Sequence, residues 1–510
     1  MGADKLTWTD SQKSAYDGII TTFKRNVVDV QRCPIFVSGG GGTGKSFLLH
    51  QLREYFESHG VRVAVTATQA VAAQLVSGKT LHSTFKIRRI RSGDSSSFVC
   101  DIDMFPYEVL IIDEVSMLSD TLLDTIEQKL TTIRDCRAPF GGVFVVGFGD
   151  LLQLSPVQDR EVYMAKSWKY FKLVALTTSV RHGNDKKYDN LMSRLRLGDK
   201  TVVNAINEYC VKKSCEIDKD LLENNTTVVV AKNIFAERNN LSIAKRLVRD
   251  NDLSNSYRTL KRHESTVDCA NDSDKDFYTL QEVERIVPKE LSVFPGATLM
   301  FTANGLSGGP WCNGDICKVI SLQCDKFNGI GDVLSVTVKM IKDNKVVVVQ
   351  PQSYRYSISS DFVMRSSRQC VVGFPLTYGW SVTIHKVQGS TYDRLVVNPS
   401  EIFCAGQLYV ALSRVRSCEG LLLTEPIKAE QVMCSKRTLS VYAAMKRLVT
   451  DGTVCGTPSC MGDVYKRLYE ECIQRMYNMQ EQLTNINLEL VTVCAENAAA
   501  AALGYQINNA

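Results

Sequence analysis

The nine residues SGGGGTGKS at 38–46 constrain this chain more than any other stretch. They match G-x-x-x-x-G-K-[ST], follow an apolar run at 34–37 and precede an amphipathic run at 47–56, the strand–loop–helix setting the pattern requires. Glycines let successive backbone N–H groups turn inward around phosphate oxygens, and a helix N-terminus adds partial positive charge there. The pattern therefore assigns a phosphate cradle to Gly39, Gly40, Gly41, Gly42, Thr43 and Gly44, with Lys45 reaching the β- and γ-phosphates and Ser46 ligating Mg²⁺.

Such a site needs a carboxylate for the metal. The run VLIIDEVSM at 109–117 supplies it, because four apolar residues form a buried strand whose carboxyl end presents Asp113 and Glu114. Asp113 is placed to hold Mg²⁺ through its water shell and Glu114 to polarise an attacking water. These features specify an ATP hydrolase and nothing narrower.

At 510 residues the chain exceeds one core, and at about 150 residues per domain it divides into three or four. Short β-rich runs alternate with helical patterns over 1–178, the mark of a parallel sheet with crossover helices in an α/β protein. A basic cluster and a Ser-rich turn at 86–104 break this rhythm and read as an inserted wedge-like element. A second α/β rhythm occupies 179–295 and 366–430, interrupted at 296–365 by hairpin-spaced strands expected to form a small β-barrel. Within it, the polar stretch 256–277 reads as loop. Residues 431–510 read as a helical extension, with Cys472, Met476, Met479, Leu483, Ile486, Leu490 and Val493 at alternating four- and three-residue steps. That stripe suits either packing on the protein's own body or docking of a protein partner or a second copy.

No apolar run approaches the roughly 18 residues of a membrane-spanning helix, and the first ten residues carry no signal pattern, so a soluble intracellular protein of nucleus or cytoplasm is expected, without a membrane partner. A formal net charge of +5 is weakly basic, and a nucleic-acid partner would be held by local patches. The 17 cysteines are dispersed and odd in number, pointing to reduced thiols rather than a disulfide framework.

Further segments narrow the reading. VVGFGDLLQLSPV at 145–157 ends a third strand with Gln153, a residue able to bond both the γ-phosphate and the attacking water; it resembles motif III of superfamily 1 helicases. TATQAVAAQLVSGKTLHSTF at 66–85 resembles motif Ia, LTTSVRHGND at 176–185 motif IV, SVTIHKVQGSTYDRLVV at 381–397 motif V, and GQLYVALSRVRS at 406–417 motif VI. In order and spacing the set is similar to the PIF-type and RecD-like branch, over roughly residues 5 to 425. Gln69-Ala70 stand where that branch has Thr-Gly.

The resemblance implies two RecA-like domains closing on ATP, 5′-to-3′ movement on single-stranded DNA, and unwinding of forked or tailed duplex. It implies arginine fingers at Arg181 and Arg414, with a surface ion pair as the alternative for each. It implies adenine reading by Gln12 and an approach of Gly389 to the γ-phosphate. DNA contacts fall on His82, Thr84, His385, Lys386 and Gln388, with Lys86, Arg88, Arg89 and Arg91 either guiding the strand or forming a solvated basic face. A translocating ATPase subunit of a larger complex is the alternative activity.

Overall fold

The computed structural model describes residues 8–25, 33–92, 95–182, 185–210, 226–250, 257–267, 278–305, 309–324, 333–357 and 368–450. The chain divides into two compact units, 1–167 with 171–446 and 168–170 with 447–510, and the description below concerns the first. The heptad-like stripe at 472–493 lies outside the described residues.

Six parallel strands form the first sheet: β1 (Ile35–Gly39), β2 (Val63–Ala67), β3 (Lys79–Thr80), β6 (Val109–Asp113), β7 (Phe144–Gly149) and β8 (Lys172–Leu176), in the order β3-β2-β6-β7-β1-β8. β1, β6 and β7 are buried at every position, which is why they read as continuous apolar runs rather than alternating ones. The crossover helix Lys45–Ser58 buries Leu48, Leu49, Leu52 and Phe56 along one stripe, each worth about 1.5–3 kcal/mol of transfer free energy. Between β3 and β6 the chain forms a helical turn, Leu81–Phe85, and then a hairpin of β4 (Ile87–Ser92) and β5 (Ser95–Cys100), within the region expected to be inserted.

A second parallel sheet comprises β9 (Thr227–Val230), β21 (Ser381–Thr383), β22 (Leu395–Val397) and β23 (Leu421–Leu423), ordered β21-β9-β22-β23. Helix Lys186–Arg196 contributes Tyr188, Leu191, Met192 and Leu195 to its core. Antiparallel strands lie between. β14 (Thr298–Phe301), β15 (Ile316–Cys324), β16 (Val333–Met340), β17 (Val346–Val349) and β20 (Leu376–Tyr378) pair in the order β17-β16-β15-β14-β20. β11 (His263–Val267), β12 (Tyr278–Thr279), β18 (Gln352–Ser357) and β19 (Arg368–Gly373) form another sheet, in which β12 alone pairs parallel, with β18, and β10 (Arg258–Lys261) pairs with β13 (Glu290–Val293).

Two expectations change here. The antiparallel strands run from 258 to 378 rather than 296–365, and the stretch expected as loop at 256–277 contains β10 and β11. The apolar run 371–380, counted above within the second α/β rhythm, contributes instead to β19 and β20, which pair antiparallel with β11, β18 and β14. Among the described residues no helix is long and apolar enough to cross a membrane.

Candidate active site

β1 ends at Gly39 and hands the chain to a loop in which Gly42 (φ 82°) and Gly44 (φ 79°) adopt left-handed conformations that favour glycine. Space requires glycine there as well: a β-carbon on Gly42 would lie 2.3 Å from Arg181 Cβ, and one on Gly44 2.1 Å from Gln12 Nε2. Lys45 Nζ donates to the carbonyls of Gly39 (2.6 Å) and Gly40 (3.0 Å), leaving one of its three N–H bonds for a ligand. Burial lowers its pKa, opposed by Glu114, Asp150 and Asp113.

A cleft of about 380 Å³ opens over this loop, lined by Gly41, Gly42, Gly44, Lys45 and Ser46, by Asp113, Glu114 and Gln153, and by Arg181, Gly389, Arg414 and Arg416. Asp113 and Glu114 follow β6, and Glu114 takes a left-handed backbone (φ 51°) as its N–H donates to Asp113 Oδ1 at 2.9 Å. Burial, then Glu114, pushes the Asp113 carboxyl up to about 7. A cation beside the pair would relieve that penalty, so the donor set of Ser46 hydroxyl and Asp113 carboxylate fits a Mg²⁺ that keeps waters and phosphate oxygens as its other ligands.

The arginines arrive from the other side. Arg414 follows helix Gln407–Leu412 and is only 1% exposed, its guanidinium donating to Val410 O (2.9 Å) and Ser413 Oγ (2.9 Å). Arg181 donates to Ser413 O at 2.6 Å. A β-carbon at Gly41 would be 3.2 Å from Arg181 Nη1 and 3.2 Å from Arg414 Nη2, so both guanidiniums converge on the loop. Neither has a carboxylate ion pair among the described residues, and burial followed by the charge of Arg414 lowers Arg181 to about 9. A buried and a half-buried cation that repel each other against a P-loop form a site that an anion completes. Gln153 and Gln388 each leave a buried side-chain oxygen without a hydrogen-bond partner.

Other expected residues sit differently. Gly39, Gly40 and Thr43 line a second cavity behind the loop rather than the cleft. Gln12 has both ends engaged, accepting from Thr9 N–H (3.0 Å) and donating to Thr43 O (3.1 Å), which braces the loop. Gln388, expected as a DNA contact at the junction of the DNA channel and the nucleotide cleft, is 2% exposed and donates to Glu114 at 3.0 Å, on the cleft side; the chain leaves β21 through the turn Ile384–Val387, which carries residue 388 toward the first sheet. Thr84 spends its hydroxyl on Thr80 O at 3.0 Å within its own helical turn. His82 and Lys386 are exposed and His385 half-buried, with burial lowering the pKa of His385.

Three residues were not legible as site residues. Tyr409 Oη accepts the Gly41 N–H at 2.7 Å. Arg196 forms a bidentate pair with Asp150 (2.8 and 2.6 Å), and Tyr442 bonds Ser38 and Leu151. The Y in YVALSR was a findable signal for Tyr409; Tyr442 lies in no motif.

A family model described as PIF1-like helicase matches residues 7–205. ATP-dependent DNA helicase PIF1 of Homo sapiens is 27% identical over 431 residues, which are 81% of this chain and 61% of that protein. The Pif1 helicase of Psychrobacter sp. is 27% identical over 76% of this chain and 65% of its own length, so the chain spans under two thirds of either relative. Among solved structures, Bacteroides Pif1 in complex with ADP-AlF3 and single-stranded DNA matches with a TM-score of 0.67 at 25% identity, covering 88% of this chain and 99% of that one.

Proposed function

We propose that the chain is a PIF1-like helicase, an ATP-dependent DNA helicase translocating 5′ to 3′ on single-stranded DNA and unwinding forked or tailed duplex, a reading supported by the family model over residues 7–205 and by the similarity to PIF1 helicases. The observation that carries the reading is the meeting of Lys45, Asp113, Glu114, Gln153, Arg181 and Arg414 in one cleft, with both arginines on the loop and no carboxylate pairing them among the described residues.

Each group has a physical task in hydrolysis. Loop amides and Lys45 hold the phosphates, and Arg181 and Arg414 offset charge spreading over the transferred phosphoryl oxygens, a contribution of ~10³ or more in rate. Glu114 takes a proton from the attacking water, and its contact with Gln388 supports coupling, since motif V then senses the catalytic base directly. Ser46 and Asp113 would hold Mg²⁺, which when bound neutralises phosphate charge. The exposed His82 and Lys386 are the DNA-facing candidates left by this geometry, with His385 beside them.

Duplexes bearing a single-stranded tail on one side test the reading. ATP-dependent unwinding is expected with a 5′ tail, and Lys45→Ala should abolish it. Unwinding with 3′ tails alone would overturn the polarity, and no ATP hydrolysis in the presence of single strands would overturn the activity.

A further inference from the structure

Helix Lys436–Thr450 follows the last strand of the second parallel sheet and lies far outside the segment matched by the family model, yet it reaches the back of the phosphate loop. Tyr442 is only 9% exposed, and Thr438 on the same helix 1%. The ring stacks near Phe36 of β1 (6.4 Å between centroids), the Arg196 guanidinium lies 5.8 Å from it, and Thr438 one turn earlier bonds Tyr163 at 3.2 Å.

The hydroxyl makes three contacts: Ser38 Oγ at 2.6 Å, Leu151 N–H at 3.0 Å and Asp150 Oδ1 at 3.3 Å. A phenol has one donor and two acceptor sites. Leu151 N–H occupies one acceptor site and the anionic Asp150 takes the single donor, so Ser38 must donate to the second acceptor site. Asp150 in turn accepts from Arg196 twice, from Leu152 N–H (3.2 Å) and from Gln153 Nε2 (3.3 Å). A carboxylate cannot donate. It therefore fixes the Gln153 amide with its NH₂ toward Asp150, and the carbonyl oxygen, unpartnered and belonging to a residue that lines the cleft, is left as the acceptor for a water proton.

We propose that Tyr442 is a positioning residue for the hydrolytic step: by tying Ser38 at the end of β1 to Leu151 and Asp150 after β7, its hydroxyl holds Gln153 in the orientation that receives the attacking water. The role rests on the ATP-hydrolysis reading. It also makes residues 436–446 part of the motor, because a helix that follows the second parallel sheet sets the geometry of a sensor beside the first.

Tyr442→Phe keeps the ring and removes the hydroxyl. The expected result is a fall in kcat for ATP on the order of tenfold, the scale of one buried hydrogen bond acting in the transition state, with KM within about twofold. In a Gln153→Ala background the same change should have no further effect, since the hydroxyl acts through that side chain. A purely structural role predicts losses that multiply in the double variant and move KM as well, and that outcome, or a wild-type rate in Tyr442→Phe, overturns the proposal. Should Tyr442→Phe not fold, Ser38→Ala removes one leg of the network; a kcat reduced several-fold with KM unchanged is expected, and an unchanged kcat is fatal. Absence of hydrolysis in the wild-type chain would instead remove the functional reading and this role with it.

Discussion

Asp150 is fully buried and faces five donors, so its charge is held by the site rather than by water. Burial by itself would raise its pKa; the Arg196 pair, with help from Lys45 and the Leu152 amide, reverses this and holds the carboxyl below its ordinary value. A depressed folded pKa stabilises the fold above the unfolded value of about 3.9, and that contribution is lost as pH falls through the folded value. Asp150→Asn leaves the half-buried Arg196 without its carboxylate, and at pH 7 it should cost about 3 kcal/mol in urea unfolding. The gap from wild type should narrow as pH drops below about 3.9. A gap that stays constant into acid would mean the loss comes from packing rather than from charge.

At the scale of elements, the hairpin of β4 and β5 is the part of the first half that the parallel sheet does not need. Its base is anchored through the buried Ile87 and Cys100 and the Asp101 N–H donating to Lys86 O. Replacing 88–99 by Gly-Gly should leave ATP hydrolysis stimulated by single strands within about twofold, because the cleft residues lie elsewhere. Unwinding of tailed duplex should be lost. Full unwinding by the deletion variant would show that strand separation does not use this hairpin. Its presence was legible because a basic cluster and a Ser-rich turn interrupt the α/β rhythm. The P-loop, Asp113-Glu114 and Arg414 were legible for a similar reason: each belongs to a short contiguous pattern whose neighbours set its backbone geometry. What was not legible depends on distant pairing. Strands 258–261 and 263–267 carry charged residues and look like loop until β13 and β19 supply their partners, and the apolar run 371–380 counts within the second α/β rhythm until β11, β18 and β14 pair with it antiparallel. The motif V resemblance put Gln388 among the DNA contacts, at the junction of DNA channel and nucleotide cleft; the helical turn Ile384–Val387 brings it to Glu114, on the cleft side of that junction.

Across the whole first unit, the two parallel sheets contribute opposite halves of one electrostatic problem. The first supplies Asp113, Glu114 and a lysine whose charge its own loop carbonyls hold; Arg414 comes from the second, and Arg181 lies on the link after β8. Polar contacts between the halves cluster at this point, through Gln388 to Glu114, Tyr409 to Gly41, Arg181 to Ser413 and Arg196 to Asp150. On the proposed reading a diphosphate would engage the loop, whereas a mimic of the transferred phosphoryl group would also engage the guanidiniums. ADP with Mg²⁺ should therefore raise Tm by mass action, about 2.7 kcal/mol at 100 times Kd, and aluminium fluoride should add a second increment by joining both halves. Arg414→Ala should keep the first increment and lose most of the second, with hydrolysis reduced about 10³-fold. Differential scanning calorimetry with each ligand separates the two. If Arg414→Ala shows the full second increment, the arginine does not reach the transferred group, and its burial against Gly41 has to be explained by packing alone.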